Sequence, residues 1–220
     1  MSETFHGNWF DTINEQTSPI FNAICDHNFI QQLTQGTLPK SIFNFYIHQD
    51  TLYLSVYKKL LAVLGSKCDD DDECQFFFDS ATGVLEVEQA LHLTYSEVND
   101  ADALSPTCEL YTSYLAKSVY SQSLAVGIAA ILPCFTIYNA VGDFILSQPQ
   151  IEGNPYQDWI NTYGGEEFAQ STAKAVAIAN RHASIADEAT LKKMNAAFIK
   201  ASKLEWMFWD SAFNKEEWVI

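Results

Sequence analysis

Cys134 lies in an almost uncharged run, residues 124–138, directly after Pro133 and four residues before Tyr138. On a helix, residues four apart share a face, so the thiol and the phenol would point the same way. The segment therefore offers either a core wall or a nucleophile with an aromatic neighbour. A lone Cys is more often a buried small hydrophobe, so its meaning depends on the side chains that other helices bring to it.

Two carboxylates stand where apolar residues belong. In the helix expected over 39–64, the stripe Phe43, Tyr46, Ile47, Tyr53, Leu54, Tyr57, Leu60, Leu61, Leu64 also carries Asp50. In the helix expected over 190–214, Ala197, Ala201, Leu204, Phe208 and Ala212 form a stripe in which Glu205 takes an inward position. An unpaired carboxylate is costly to bury, so each acid must be partnered, protonated or facing a wet pocket. On 105–121, Cys108, Tyr111, Leu115 and Val119 line one face, and the Tyr111 hydroxyl needs a partner once buried.

Four helices thus contribute Asp50, Tyr53, Tyr111, Cys134, Tyr138 and Glu205 to a shared interior. The mix suits attack by a thiolate on an electron-poor centre, with a carboxylic acid protonating what leaves. A Cys of ordinary pKa, about 8.5, is mostly thiol at neutral pH, and nearby carboxylates raise it further. Activation then requires a base, either Glu205 or Asp50. Aromatic walls with one carboxylate suit a planar heterocycle bearing an exocyclic amine, since the carboxylate accepts its N–H bonds while the rings sandwich its plane.

The elements that must position these residues read as helices throughout. Helical periodicity dominates, and alternation bounded by tight hairpin turns is absent. Pro and Gly punctuation predicts helices over 4–16, 19–26, 28–35, 39–64, 72–98, 105–121, 123–147, 155–162, 165–187 and 190–214. The expected architecture is an all-α, single-domain helical bundle covering 1–220, long enough for a substantial core. The acidic run at Asp69–Glu73 has no Gly at a sharp turn and no spaced ligand pattern, so it reads as negative charge feeding the next helix N-terminus rather than a calcium loop.

Charge and cysteines narrow the setting. With 28 Asp+Glu against 12 Lys+Arg, net −16, the chain lacks the basic face that nucleic acid or an anionic membrane surface requires. Five scattered cysteines show no C-x-x-C pair or zinc spacing, which fits a reduced, cytoplasmic protein. The N-terminus lacks the basic start and apolar stretch of a secretory signal. The 124–146 run raises a membrane question, but Pro133, Asn139 and Asp143 interrupt it, and a buried central helix explains the same composition.

The residues resemble the TenA/thiaminase II family in six places along the chain. These are His27-Asn-Phe29 with Gly36-Thr-Leu-Pro39; Phe45-Tyr-Ile-His-Gln-Asp50-Thr-Leu-Tyr53-Leu54; Tyr111-Thr-Ser-Tyr-Leu115; Leu132-Pro-Cys134-Phe-Thr-Ile-Tyr138; Trp159-Ile-Asn-Thr-Tyr163; and Leu204-Glu205-Trp-Met-Phe-Trp209-Asp-Ser-Ala-Phe213. None is specific alone, and together they cover nearly the whole chain. The resemblance implies a haem-oxygenase-like all-helical fold, a homotetramer, and no metal or organic cofactor. It implies an aminopyrimidine aminohydrolase of thiamine salvage that yields 4-amino-5-hydroxymethyl-2-methylpyrimidine and ammonia, and that also cleaves thiamine.

By the same resemblance, Cys134 is the nucleophile that adds to the pyrimidine, and Glu205 is the acid/base that protonates the leaving amine and then helps water in. Asp50 holds the aminopyrimidine edge, and Tyr53, Tyr111, Tyr138 and Tyr163 stack on or hydrogen-bond the substrate. Leu-Pro-Cys134 places the chain in the cysteine type. Thr136 stands where the family more often has a bulky aromatic, a departure expected to reshape the pocket. Two other readings stand beside this one: a pyrimidine-binding regulatory protein, which keeps the pocket but leaves Cys134 and Glu205 without a task, and a helical metal-dependent oxygenase built on Glu88 and His92, for which no second half-site can be assembled.

Overall fold

The uncharged run forms α6 (Leu124–Ser147), and most of its side chains on every face are buried. In the computed structural model residues 8–95 and 103–220 are described, with side chains at 8–84 and 103–220. The preceding elements are α1 (Trp9–Cys25), α2 (Asn28–Thr34), α3 (Lys40–Gly65), α4 (Asp71–Tyr95) and α5 (Pro106–Ser121). After α6 come α7 (Gln157–Tyr163), α8 (Glu166–Ser184) and α9 (Glu188–Asn214). Every regular element among the described residues is a helix, as the periodicity predicts.

Four of them form the frame of the site: α3, α5, α6 and α9 each touch the other three. Outside this frame α4 packs on α3, α8 on α6, and α1 on α9, while the short α7 lies against α6. Long packed helices of this kind bury one stripe each, but α6 is enclosed by neighbours all round and so needs to be apolar all round. It is the one helix among the described residues long and apolar enough to cross a membrane, and 78 % of its apolar window is buried inside the fold.

The helix termini follow local chemistry. Gly36, at φ +67°, ends α2 in a Schellman turn in which Thr37 N–H reaches the Gln32 carbonyl at 2.8 Å. Ser105 caps α5 through Cys108 N–H at 3.2 Å, with Pro106 in the first helical position. Asp70 accepts from Glu73 N–H at 3.0 Å, and Asp71 and Asp72 follow in the first turn of α4, as the acidic run predicts. Glu73 departs from that reading: it is buried, and its carboxylate receives both Arg181 and His182 of α8.

The separate helices expected over 4–16 and 19–26 are one helix, α1, running through Pro19. Proline removes the N–H that would reach the Glu15 carbonyl. Here the break is tolerated because Pro19 and Glu15 face solvent, and the Thr17 hydroxyl bonds back to the Ile13 and Asn14 carbonyls at 3.0 and 3.2 Å.

Candidate active site

Asp50, Tyr53 and Tyr57 sit on the buried stripe of α3 and face the frame's interior. Tyr111 arrives from α5, Cys134 and Tyr138 from α6, and Glu205 from α9. Tyr163 is the last residue of α7, which the close approach of Gly142 and Gly164 brings against α6. Pro133 deprives the Ala129 carbonyl of its helical donor, and this stretch of α6 is tied laterally instead: the Tyr57 hydroxyl donates to the Ile131 carbonyl at 2.9 Å.

The carboxylates carry the electrostatics. Asp50 is only 2 % exposed, its Oδ2 has no hydrogen-bond partner among the described residues, and burial pushes its pKa up to about 7. Glu205 is 1 % exposed and accepts a 2.6 Å hydrogen bond from the Tyr111 hydroxyl. Burial pushes Glu205 up to about 8, the Tyr111 bond pulls it down, and the Asp50 charge adds to the rise.

Around Cys134 the same forces act on a thiol. Burial raises its pKa well above the ordinary value, the Glu205 carboxylate adds to the rise, and the Tyr53 phenol opposes it, with smaller effects from Asp50 and Tyr57. The resting sulfur is therefore a protonated thiol with two carboxylates close enough to matter. The Tyr53 hydroxyl lies beside that sulfur yet, like Asp50 Oδ2 and Trp209 Nε1, is buried without a well-formed hydrogen bond. Buried polar groups left this way point to a ligand or to chemistry.

A cavity of about 1240 Å³ opens onto this cluster, with Asp50, Tyr57, Cys134, Tyr138 and Tyr163 on its inner wall. Cys134 is half-buried because it faces that space. Tyr138 and Tyr163 pack at 4.8 Å between ring centres. Glu205, Tyr53 and Tyr111 are not on the wall; they form the layer behind it, Tyr53 packing on Tyr57 at 5.4 Å and on Tyr111 at 5.0 Å. The sequence-predicted residues thus converge, in two layers.

Two members of the site are missing from the sequence-based set. Tyr46 receives the Trp159 indole N–H at 3.2 Å and donates to the Tyr138 hydroxyl at 3.3 Å, which fixes Tyr138 in the wall. Tyr57 is part of the wall itself. Both lie on the Asp50 stripe, at −4 and +7, where a tyrosine reads equally as core. Thr136, expected to reshape the pocket, does not reach it: the side chain is buried, donates to the Leu132 carbonyl at 3.3 Å and leaves the wall to its neighbours.

For the metal alternative, the side chains of Glu88 and His92 lie outside the described residues. Among the described residues no group of three or more His, Cys, Asp or Glu is placed to hold a metal ion. His182 is committed elsewhere, bonding Glu73 at 2.9 Å.

Known proteins share this architecture. The chain is 34 % identical to the aminopyrimidine aminohydrolase of Bacillus subtilis over 87 % of its own length and 84 % of that enzyme. It is 35 % identical, over 90 % of its length, to the thiamine biosynthesis multifunctional protein ThiED of Corynebacterium glutamicum, spanning about a quarter (26 %) of that longer protein. Among solved structures, a TenA homologue from Pyrococcus furiosus superposes with a TM-score of 0.87 at 21 % identity, covering 93 % of this chain and 99 % of that one. A Shewanella denitrificans domain described as having a heme oxygenase-like fold superposes with a TM-score of 0.73 at 13 % identity, covering 94 % and 92 %, so the haem-oxygenase-like fold expected from the sequence is the one observed. Matched from residue 14 to residue 215 by the model of the TENA/THI-4/PQQC family, the chain belongs to that family.

Proposed function

We propose that the chain is an aminopyrimidine aminohydrolase of thiamine salvage, converting 4-amino-5-aminomethyl-2-methylpyrimidine and water to the 5-hydroxymethyl compound and ammonia, with thiamine as a second substrate. The observation that carries this reading is a thiol, Cys134, and a carboxylate, Asp50, on the wall of one aromatic cavity with a second carboxylate, Glu205, in the layer behind it, both acids of raised pKa. The identity with an aminopyrimidine aminohydrolase over most of both chains supports it.

In this reading Asp50 accepts the N–H bonds of the aminopyrimidine edge through its unpartnered oxygen, and Tyr138 and Tyr163 flank the ring. Glu205, the carboxylate acting most strongly on Cys134, takes the thiol proton as Sγ bonds to a ring carbon. The electron pair pushed into the ring expels the amine from the 5-methylene carbon. That C–N bond breaks, and the nitrogen takes the proton from Glu205 and leaves as ammonia. Water then adds to the exocyclic methylene and gives a proton to Glu205. The electrons returning through the ring expel the sulfur, which recovers that proton. Tyr111 holds Glu205 in place for both transfers. The same reading carries the expectations of one domain over 1–220, a homotetramer, and a cytoplasmic setting with which the five free cysteines are compatible.

Ammonia release from 4-amino-5-aminomethyl-2-methylpyrimidine by the purified protein tests the reading. Cys134→Ser is expected to cut kcat by about a thousandfold or more while the far-ultraviolet circular dichroism is unchanged. No release from the wild-type protein, or full turnover by the variant, would count against the hydrolase and the nucleophile respectively.

A further inference from the structure

The cavity is larger than its inner wall requires. At about 1240 Å³ it exceeds the roughly 300–1,000 Å³ of ordinary ligand pockets, and it continues past Cys134 toward solvent between α4 and α8. This outer part has its own character. Phe76, Phe135 and Phe168 form one side, with Phe135 6.1 Å from Phe76 and 6.4 Å from Phe168, the latter pair nearly parallel at 17°. At the rim stand the exposed carboxylates Asp72, Asp79, Glu166 and Glu167, against one lysine, Lys174. Glu73 also reaches the cavity, but its carboxylate is paired with the Arg181 guanidinium and bonded to His182.

An acidic rim alone designates no ligand. Here it opens onto a space whose inner end holds Asp50, 2 % exposed, with an oxygen that no group among the described residues satisfies. A ligand bound there through N–H donors at one end would extend its other end past Cys134 into the aromatic, acidic compartment. Aromatic faces and carboxylates both favour a cation, and the carboxylates repel an anion.

We propose that the outer compartment receives the leaving group of the substrate as a cation, a quaternary heterocycle, and turns away phosphate esters of the same scaffold. This rests on the hydrolase reading, and it adds to it which side of the substrate sets selectivity and by what force. Cations are the productive leaving groups for the chemistry as well, because a quaternary nitrogen departs neutral without needing a proton.

The test compares thiamine, a fixed cation, with thiamine monophosphate, which adds two ionisable oxygens to the same leaving group. The wild-type protein is expected to favour thiamine in kcat/KM by tenfold or more at low salt, and 0.5 M NaCl should shrink that preference. Asp79→Lys/Glu167→Lys, two exposed rim positions, should narrow it by about tenfold, and the gentler Asp79→Asn/Glu167→Gln by about threefold in the same direction. Equilibrium binding of both compounds to the Cys134→Ser protein, read by calorimetry, should show the same ordering. A ratio that neither variant pair nor salt moves overturns the proposal. Turnover failing in every protein while binding still discriminates would sink the hydrolase reading and leave the cationic compartment standing.

Discussion

Tyr111 decides how Glu205 titrates. Its hydroxyl donates to Glu205 Oε1 at 2.6 Å, a bond that stabilises the ionised carboxylate and opposes the rise that burial imposes. If ionised Glu205 is the group that accepts the Cys134 proton, kcat/KM must rise with pH through the Asp50 and Glu205 pKa values, about 7 and about 8. Removing the hydroxyl removes the downward pull, so Tyr111→Phe is expected to move the upper step by about one unit to higher pH. Measured with thiamine, whose charge does not change over the range, the variant should lose most activity near pH 7 and recover toward wild type near pH 9. A uniform loss at every pH would mean that Tyr111 serves packing only. At this scale the sequence was informative where a residue type contradicts its surroundings: Asp50 and Glu205 are legible because acids are out of place on apolar stripes. Tyr46 and Tyr57 were not, because a tyrosine on such a stripe is equally at home as core.

Among the elements, the short α7 supplies Tyr163. Its C-terminal end lies so close to α6 that a Cβ at Gly142 would come within 2.5 Å of the Tyr163 carbonyl carbon and the Gly164 nitrogen. Those are backbone atoms and cannot turn aside, so Gly142→Ala must push the end of α7 away. Alanine is the better helix former by about 1 kcal/mol, a gain smaller than the overpacking cost, and a net loss of about 1–3 kcal/mol is expected in denaturant titration. Because the displaced residue is Tyr163, packed on Tyr138 at 4.8 Å, KM should rise more than kcat falls. An alanine variant as stable as wild type with unchanged KM would show that α7 can move without the site noticing. The long helices that carry Asp50, Tyr111, Cys134 and Glu205 were readable from periodicity and punctuation, because each must bury one stripe. The continuity of α1 through Pro19 was not: it depends on solvent beyond Glu15 and on the Thr17 back-bonds, which only the folded surroundings supply.

For the whole molecule, the site is a source of instability whose sign follows from titration. Unfolded carboxylates lose their protons near pH 4, whereas Asp50 and Glu205 in the fold hold theirs up to about 7 and about 8. Between those limits the native state binds more protons than the unfolded state, so stability falls as pH rises. The loss is absent below about pH 4, grows through the neutral range, and is complete only above about pH 8. A net charge of −16 adds self-repulsion in the same direction as the remaining acids ionise. Asp50→Asn replaces the buried acid by a group of similar shape that never ionises, and it should abolish turnover while making the protein harder to unfold at pH 8. The expected gain is on the order of 2–3 kcal/mol there, with none at pH 4.5, read from denaturant midpoints at the two pH values. Glu205→Gln should behave likewise, its amide oxygen still able to accept from Tyr111. Equal effects at both pH values would mean that Asp50 holds its proton no more tightly in the fold than in the unfolded chain, so that its pKa is not raised by burial. A gain confined to high pH would tie the instability of the fold to the carboxylates that serve the cavity, since a purely structural position gains nothing from an acid there.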